Sequence, residues 1–272
     1  MSDVKTTPDA SSLQALLAEL PANLLAGRRV LVTGAARGLG LAFAQCIAKS
    51  GARVVLADIL ADLAQTEAAA LREQGVDAHG LAVDLADPAS IEQCAAEAVR
   101  LLGGLDGLVN NAAITNSGGR DAHELDIATW DRVMDVNVRG TWLMSRACQP
   151  ALTASGRGAI VNLASDTALW GAPKLLAYAS SKGAVISMTR SLAREWGDKG
   201  GITVNAVAPG LTLVEATEYV PLARHEKYLE GRAIPREQQA VDVCGAVLFA
   251  LSGLSRFVTG QLLAVNGGFV MH

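Results

Sequence analysis

The chain has 272 residues, of which 50% are hydrophobic and only 18% are charged. This length fits a single α/β domain, and the composition is too apolar for an intrinsically disordered protein. A formal net charge of -4 offers no basic surface to nucleic acid or to an anionic membrane, so we expect neither as a partner.

The first 27 residues differ from the rest of the chain. A polar start is followed by SSLQALLAEL, whose apolar residues recur at helical spacing, with Ser12 as the predicted N-cap and Pro21 as the stop. We expect residues 1–27 to be an arm on one domain that covers residues 28–272. The start lacks the pattern of a secretory signal, and the apolar stretch 243–255 is too short to span a bilayer, so the cytoplasm is the expected location.

From Arg28 onward, short β-branched runs alternate with alanine-rich helical stretches, which is typical of βαβ units around a parallel sheet. The predicted strands are 29–33, 53–57, 78–83, 107–110, 158–163, 203–207 and 262–265. The predicted helices are 38–50, 60–74, 90–102, 128–153, 177–196 and 240–251. We therefore predict an α/β fold with a doubly wound, seven-stranded parallel sheet and helices on both faces. The long irregular segment 210–239 is predicted to be a mobile active-site lid.

The first strand leads into a glycine-rich turn and then a helix. Its residues are Thr33-Gly34-Ala35-Ala36-Arg37-Gly38-Leu39-Gly40. Glycines permit close backbone approach, and a helix N-terminus presents unpaired N–H groups to a pyrophosphate. The spacing differs from the G-x-G-x-x-G fingerprint, so a turn that binds nothing is the alternative interpretation.

Two charged residues near this turn favour opposite cofactors. Asp58, at the end of the second strand, can accept hydrogen bonds from the adenosine ribose hydroxyls of NAD and would repel the 2′-phosphate of NADP. Its alternative role is to cap the helix that follows. Arg37 favours NADP, because a guanidinium pairs well with phosphate. We give Asp58 more weight and predict NAD.

Tyr178 and Lys182 are four residues apart at the start of a predicted helix, so both side chains lie on one face. A phenol has a pKa of about 10, so Tyr178 is a usable acid or base near neutral pH only if a cation, Lys182 or an oxidised nicotinamide, favours the phenolate. A surface Tyr–Lys pair is the alternative interpretation. Ser165 favours catalysis, because it follows a predicted strand at the carboxyl edge of the sheet, where ligands bind in such folds.

Seven motifs in this order resemble the short-chain dehydrogenase/reductase family, and the match runs from about Arg28 to Gly268. They are the turn 33–40, Asp84-Leu85, the NNAA run 110–113, Asn137, Ser165, the YASSK run 178–182 and Pro209-Gly210. The resemblance implies a single-domain Rossmann-type fold, a nicotinamide dinucleotide cofactor and a Ser-Tyr-Lys centre assisted by an asparagine.

The resemblance also assigns roles to individual residues. Tyr178 would exchange a proton with the substrate oxygen, which Ser165 would steady. Lys182 would hold the nicotinamide ribose and lower the pKa of Tyr178, and Asn137 would anchor a water that relays protons to Lys182. The implied cofactor contacts are Gly34, Arg37, Gly38, Leu39, Gly40, Asp58, Asp84, Leu85, Asn111, Tyr178, Lys182 and Thr212.

The chain departs from the family pattern after Pro209-Gly210. The family often has a threonine four residues after this glycine to hold the nicotinamide carboxamide, and this chain has Val214 there. Thr212 and Thr217 are the candidates to replace it.

Other residues near the predicted site have two interpretations. Asp166 either lines the substrate pocket or is an exposed turn acid. An apolar wall for the substrate is predicted from Leu169, Trp170, Pro173 and Leu175. Trp170 would equally fit against the lid or a neighbouring subunit. Four lid residues could meet an anionic group, although a solvated charged helix is favoured: Arg224, His225, Lys227 and Tyr228.

Metal chemistry is not expected. The cysteines form no CxxC pair, and the histidines have no paired ligand pattern, so we predict no catalytic metal. The cysteines are predicted to be reduced core thiols: Cys46, Cys94, Cys148 and Cys244.

Three functions remain open at this stage. The favoured one is an oxidoreductase that transfers a hydride between NAD(H) and a small secondary alcohol or ketone. The second is an NADPH-dependent 3-oxoacyl-type ketoreductase. The third is a non-catalytic scaffold, against which the four intact catalytic residues argue. Because family relatives are commonly dimers or tetramers, we expect a homo-oligomer, a homotetramer in particular, formed through segments 128–153, 177–196 and 257–272.

Overall fold

The computed structural model describes residues 10–271, so residues 1–9 of the arm and His272 lie outside the described residues. The helices are α1 (Ala10–Glu19), α2 (Gly38–Lys49), α3 (Ala61–Glu73), α4 (Pro88–Leu102), α5 (Ile127–Met134), α6 (Thr141–Ala154), α7 (Thr167–Trp170), α8 (Leu176–Gly200), α9 (Leu222–Gly231) and α10 (Ala240–Leu251). The strands are β1 (Arg29–Thr33), β2 (Arg53–Asp58), β3 (Ala78–Ala82), β4 (Gly107–Asn110), β5 (Ala159–Leu163), β6 (Thr203–Pro209), β7 (Thr212–Leu213), β8 (Gln238–Gln239) and β9 (Leu262–Val265).

Seven parallel strands form one sheet in the order β3-β2-β1-β4-β5-β6-β9, which confirms the predicted fold. Alternate residues of β1 face opposite sides of the sheet. Val30 and Val32 join a core cluster with α2, α3 and α10, whereas Leu31 joins a second cluster with α4, α6 and α8. The strand order reverses between β1 and β4, and open α/β sheets bind ligands outside the carboxyl ends of the strands at such a point.

The described part of the arm is packed on the body of the protein. Leu13, Leu16 and Leu17 of α1 lie against the core cluster that contains α2 and α10. Ser12 lies within α1 rather than before it, so its prediction as the N-cap is wrong. The helix already includes Ala10, and alanine is the residue that most favours helical backbone.

Three other segments differ from the sequence-based expectation. The helix predicted over 128–153 is divided by a π-helical turn at Asp135–Gly140. The prediction missed this turn, because apolar periodicity does not reveal an extra residue in one turn of a helix. Helix α4 begins at Pro88 instead of residue 90, since proline fits the first turn and the Asp87 carboxylate accepts the Ala89 N–H at 2.9 Å. The segment 210–239 contains α9, where a charged helix was favoured from the sequence, and also the short β7–β8 pair, which the sequence did not indicate.

Cys46, Cys94, Cys148 and Cys244 are buried and free, as predicted. Over residues 10–271, no helix combines the length and the apolar character that a bilayer span requires.

Asp106 anchors the edge of the sheet opposite to the carboxyl ends of the strands. Its side chain is fully buried and accepts hydrogen bonds from the guanidinium groups of Arg29, at 2.8 and 3.0 Å, and Arg157, at 2.9 and 3.2 Å. Burial alone would raise the pKa of this carboxyl, but the hydrogen bonds from both arginines lower it to about 2. The ionised form therefore stabilises the fold.

We expect Asp106→Asn to lower the free energy of unfolding by about 3 kcal/mol near neutral pH, because it breaks a buried ion-pair network. The folded pKa lies below the ordinary value of 3.8, so this stabilisation is present above that value and is lost as the pH falls toward 2. Urea denaturation at several pH values measures the difference, with the exposed carboxylate variant Asp131→Asn as the control. A difference that stays constant down to pH 2 would contradict this assignment.

Candidate active site

The residues predicted to form the site follow strands that end at one edge of the sheet. The glycine-rich turn follows β1, Asn111 follows β4, Ser165 follows β5 and Gly210 follows β6. Helix α8 carries Tyr178 and Lys182 in its first two turns, and Lys182 contacts the end of β5. The fold therefore brings residues that are distant in sequence to one crevice.

Gly34 lets the chain turn sharply beneath the crevice. Its φ is +65°, and a Cβ at this position would lie 2.7 Å from the Cα of Ala112. The side-chain amide of Asn111 donates to the carbonyl oxygens of Thr33, at 3.0 Å, and Gly34, at 2.9 Å. Asn111 thus holds the turn in place, and its expected contact with the adenosine ribose stays a prediction.

The turn opens into α2 with its first N–H groups uncapped by a side chain. Arg37 is the N-cap residue, and its exposed side chain makes no capping hydrogen bond. Gly38 has a φ of +59°, and a Cβ on Gly40 would collide with the carbonyl group of Gly34. Leu39 packs against the core and fixes the start of the helix. Bare backbone with free N–H groups at a helix N-terminus fits a dinucleotide pyrophosphate.

Asp58 lies beside this turn, at the end of β2. It is 8% exposed, and its carboxylate accepts the N–H of Ala36 and the N–H of Leu60, each at 3.0 Å. The second contact holds the residue that precedes α3, so the helix-capping interpretation describes part of its role. Because the first contact fixes the carboxylate against the glycine-rich turn, its negative charge is held next to the expected position of the adenosine ribose.

Asp84 and Leu85 follow β3 and differ in exposure. Asp84 is exposed, and its carboxylate accepts the Ala86 N–H at 2.8 Å. Leu85 is 5% exposed and packs in the core, where its carbonyl oxygen would be 2.6 Å from a Cβ on Gly140. A contact between Leu85 and an adenine ring would therefore use its backbone more than its side chain.

Ser165, Tyr178 and Lys182 converge at the end of β5. The Lys182 ammonium, which is 4% exposed, donates to the carbonyl oxygen of Leu163 at 2.6 Å and lies 5.7 Å from the centroid of the Tyr178 ring. The Ser165 hydroxyl accepts from the hydroxyl of Thr167 at 2.9 Å, and Ser165 acts on the Tyr178 phenol by lowering its pKa. The spacing of four residues and the strand-end serine thus lead to one cluster.

Burial dominates the proton affinities of this cluster. It raises the pKa of Tyr178, and the interaction with Ser165 opposes that shift. The same burial lowers the pKa of Lys182 to about 8, because a desolvated ammonium loses its hydration. In the protein alone, the pKa of Tyr178 is therefore raised. The family resemblance implies the opposite effect, since Lys182 is expected to lower the pKa of Tyr178.

Asn137 lies in the π turn and is 1% exposed. Its side-chain oxygen accepts the Ile114 N–H at 2.7 Å, and its amide donates to the Ile114 carbonyl oxygen and to the Ser181 hydroxyl, each at 3.1 Å. Ser181 in turn donates to the carbonyl oxygen of Tyr178 at 2.7 Å. Asn137 thus ties the loop after β4 to the first turn of α8, and its water-anchoring role stays a prediction.

The lid packs onto the predicted apolar wall, which lies between Ser165 and Tyr178 in the sequence. Trp170 donates from its indole N–H to the Tyr228 hydroxyl at 3.3 Å, and its ring meets Phe269 edge-on at a centroid distance of 5.5 Å. Tyr228 stacks on Phe269 at 4.1 Å and donates its hydroxyl to the Asp166 carboxylate at 2.7 Å. Trp170 therefore packs against the lid, which was one of its two predicted alternatives.

Two expectations about exposure in this region are wrong. Asp166 is fully buried, so it is not an exposed turn acid; burial raises its pKa to about 6, although Tyr228 and Arg232 oppose that shift. His225 and Tyr228 are each 2% exposed, so α9 is not solvated on all sides. They are three residues apart and form the inner face of the helix. The sequence did not reveal this buried face, because charged residues lie on both sides of His225 and Tyr228 in the chain.

The threonines proposed to replace the missing family threonine bond to nearby backbone. Thr212 donates its hydroxyl to the Gly210 carbonyl oxygen at 3.0 Å, and Thr217 donates to the Thr212 carbonyl oxygen at 2.6 Å. Val214 lies close to Gly38, 3.7 Å from where a Cβ on that glycine would be. The start of the lid therefore reaches over the glycine-rich turn.

Sequence reasoning missed Tyr219. Its hydroxyl donates to the carbonyl oxygen of Thr115 at 2.6 Å and so joins the lid to the loop after β4. No local pattern could have shown this, since the acceptor is a backbone atom more than 100 residues earlier. In the described part of the chain, no group of 3 or more His, Cys, Asp or Glu side chains is placed to hold a metal ion.

Comparison with known proteins agrees with this geometry. A family model described as enoyl-(acyl carrier protein) reductase matches residues 34–270. The 2-(S)-hydroxypropyl-CoM dehydrogenase 3 of Xanthobacter autotrophicus is 38% identical over 256 residues, which cover 90% of this chain and 98% of that protein. The 3-oxoacyl-acyl-carrier-protein reductase FabG of Staphylococcus aureus is 33% identical over 246 residues, with 90% and 98% covered.

A crystal structure of a short-chain dehydrogenase from Burkholderia cenocepacia in complex with NADP superposes with a TM-score of 0.83 at 33% identity, and the match covers 91% of this chain and 99% of that one. The model match, the relatives and the superposition all span most of the chain. This protein belongs to the short-chain dehydrogenase/reductase family of oxidoreductases.

Proposed function

We propose that the protein interconverts a small secondary alcohol and its ketone with NAD(H), and that Tyr178 is the acid/base. The observation that carries this proposal is the convergence of Ser165, Tyr178 and Lys182 at the carboxyl edge of the sheet, the edge that also carries the glycine-rich turn. A substrate oxygen placed between Ser165 and Tyr178 would contact both hydroxyls at once.

The cofactor would lie along the crevice from the turn to α8. Gly34, Gly38, Leu39 and Gly40 would present backbone to the pyrophosphate, and Asp58 would bind the adenosine ribose. The remaining proposed contacts are Arg37, Asp84, Leu85, Asn111, Tyr178, Lys182 and Thr212. When bound, the nicotinamide supplies hydride transfer to or from the carbinol carbon.

The chain itself supplies proton transfer and orientation. In alcohol oxidation, the Tyr178 oxygen accepts the hydroxyl proton while the Ser165 hydroxyl donates to the same substrate oxygen. Because burial raises the pKa of Tyr178, its phenolate needs nearby positive charge, which the Lys182 ammonium and an oxidised nicotinamide would provide. Asn137 positions α8 through Ser181 and so holds Tyr178 in place.

We expect Tyr178→Phe to reduce turnover of secondary alcohols by about 100-fold to 10,000-fold, the usual contribution of a positioned acid/base. NADH binding, followed by fluorescence, should change little, because the ring and its packing remain. Thermal melting controls for folding. A variant that keeps more than about a tenth of the wild-type rate, well above that range, would exclude this role.

The choice of NAD rests on the fixed carboxylate of Asp58, which would repel a 2′-phosphate. The alternative function is an NADPH-dependent 3-oxoacyl-type ketoreductase. It is supported by the exposed Arg37 in the glycine-rich turn, by the resemblance to FabG and by the NADP bound to the Burkholderia cenocepacia relative.

A direct comparison of cofactor affinities separates the two functions. We expect wild-type protein to bind NADH more tightly than NADPH by about tenfold or more. Asp58→Asn should reduce this preference, because it removes the charge and keeps the side-chain size. The control is Asp62→Asn, an exposed carboxylate in the first turn of α3. Tighter binding of NADPH by the wild type would favour the ketoreductase alternative.

We also propose that the protein is a cytoplasmic homotetramer. The free thiols are suited to a reducing compartment. Trp142 is 42% exposed and lines an apolar groove with Met134, Val138 and Met188 on the predicted contact helices, and Phe257 in the C-terminal segment is fully exposed. Exposed apolar patches of this kind commonly mark protein interfaces.

Sedimentation velocity at micromolar concentration tests the assembly. We expect a species of about four times the chain mass of 28.1 kDa. Trp142→Glu should dissociate it, because the variant replaces an apolar ring of the predicted interface with a carboxylate that must lose its hydration on assembly. A wild-type protein that sediments as a monomer would contradict the tetramer.

A further inference from the structure

Two cationic side chains of α9, Arg224 and Lys227, contact the predicted apolar wall. The Arg224 guanidinium donates to the carbonyl oxygen of Pro173 at 2.9 Å, and the Lys227 ammonium lies 4.1 Å from the centroid of the Trp170 ring. Both contacts are on the segment 166–177, which joins Ser165 to Tyr178 in the sequence. The cations therefore contact the segment that leads from one proposed reacting residue to the other.

Neither cation is neutralised by an acidic side chain. Within residues 10–271, Arg224 and Lys227 form no ion pair, whereas Lys174 on the same wall lies 3.7 Å from the Asp121 carboxylate. Their neighbours are a neutral carbonyl group and an indole ring, which orient a positive charge without cancelling it.

The two residues are placed to act on one ligand. They are three positions apart, so their side chains are neighbours on the surface of α9, while His225 and Tyr228 face the protein interior. An anion between them would receive charge-assisted hydrogen bonds from a guanidinium and an ammonium. The apolar wall beneath would contact the carbon chain that carries this anion.

We propose that Arg224 and Lys227 bind a terminal carboxylate or sulfonate of the substrate while its carbinol or carbonyl carbon lies at Ser165 and Tyr178. The inference rests on the proposed function and assigns a substrate class to it, short secondary alcohols or ketones with an acidic terminus. Arg224 and Lys227 are then specificity-determining residues that fix one end of the substrate.

The test compares matched substrates that differ only in charge. The probes are an aliphatic secondary alcohol with a terminal carboxylate, its methyl ester, the corresponding sulfonate and its methyl sulfone. The variants are Arg224→Gln, Lys227→Gln and both together, with Lys174→Gln as the control because Lys174 already has an acidic partner. Calorimetry measures binding of the carboxylate and sulfonate probes independently of turnover.

We expect each single variant to raise KM for the anionic probes by about 10-fold to 100-fold, with little change in kcat, since a hydrogen bond to a charged group is lost. The ester, the sulfone and the Lys174→Gln protein should show no such change. Added salt should weaken anion binding to the wild type alone.

The other outcomes overturn one idea at a time. Turnover of neutral and anionic probes with equal kcat/KM, unchanged in the variants, would refute the anion site and leave the proposed function intact. If no alcohol or ketone of either charge is turned over, the proposed function fails, and calorimetry then tests the anion site by itself. Binding of the anionic probes that is lost in the double variant would support the site. No binding to the wild type would refute it. A change confined to NADPH affinity would assign both cations to a cofactor phosphate instead.

Discussion

The geometry of the site depends on the hydrogen bond between the buried Lys182 ammonium and the Leu163 carbonyl oxygen. Removing an ammonium from water is costly, and the hydrogen bond to the Leu163 carbonyl oxygen at 2.6 Å offsets part of that cost. This bond fixes the rotation of α8 against the end of β5. Tyr178 is one helical turn away, so the same bond determines that its ring lies beside Ser165. The lysine thus acts as a structural anchor before any cofactor chemistry is considered.

The two ends of the parallel strands carry groups of different kinds: one end carries a stabilising ion-pair network, and the other carries the proposed reacting groups. At the amino edge, Asp106 is surrounded by guanidinium donors, and its charged form is favoured. At the carboxyl edge, burial works against the charged forms of Tyr178, Lys182 and Asp166. Groups whose ionisation is opposed by burial respond strongly to a bound ligand, because a new charge or hydrogen bond changes their proton affinity. The parallel strands place these three groups at one edge, away from the stabilising network around Asp106.

The sequence predicted features that depend on local patterns and missed those that depend on distant partners. Strands, the glycine-rich turn, the Tyr178–Lys182 pair and the strand-end Ser165 follow from short-range patterns, and the family resemblance added Asn137. The burial of Asp166 depends on Tyr228, which is 62 residues away, and no local signal connects them. The π turn was invisible for another reason, since one extra residue shifts the helical phase without changing composition.

The lid is joined to the site by contacts that do not involve the proposed reacting atoms. Tyr228 donates to Asp166, the residue directly after Ser165, and Tyr219 donates to the Thr115 carbonyl oxygen. The lid therefore rests on the backbone that positions the serine, while Tyr178 and Lys182 are fixed from α8. The half-buried Arg224 and the exposed Lys227 lie outside the buried face of α9, which carries these supports. A change at either position would therefore leave the contacts of Tyr228 and Tyr219 in place.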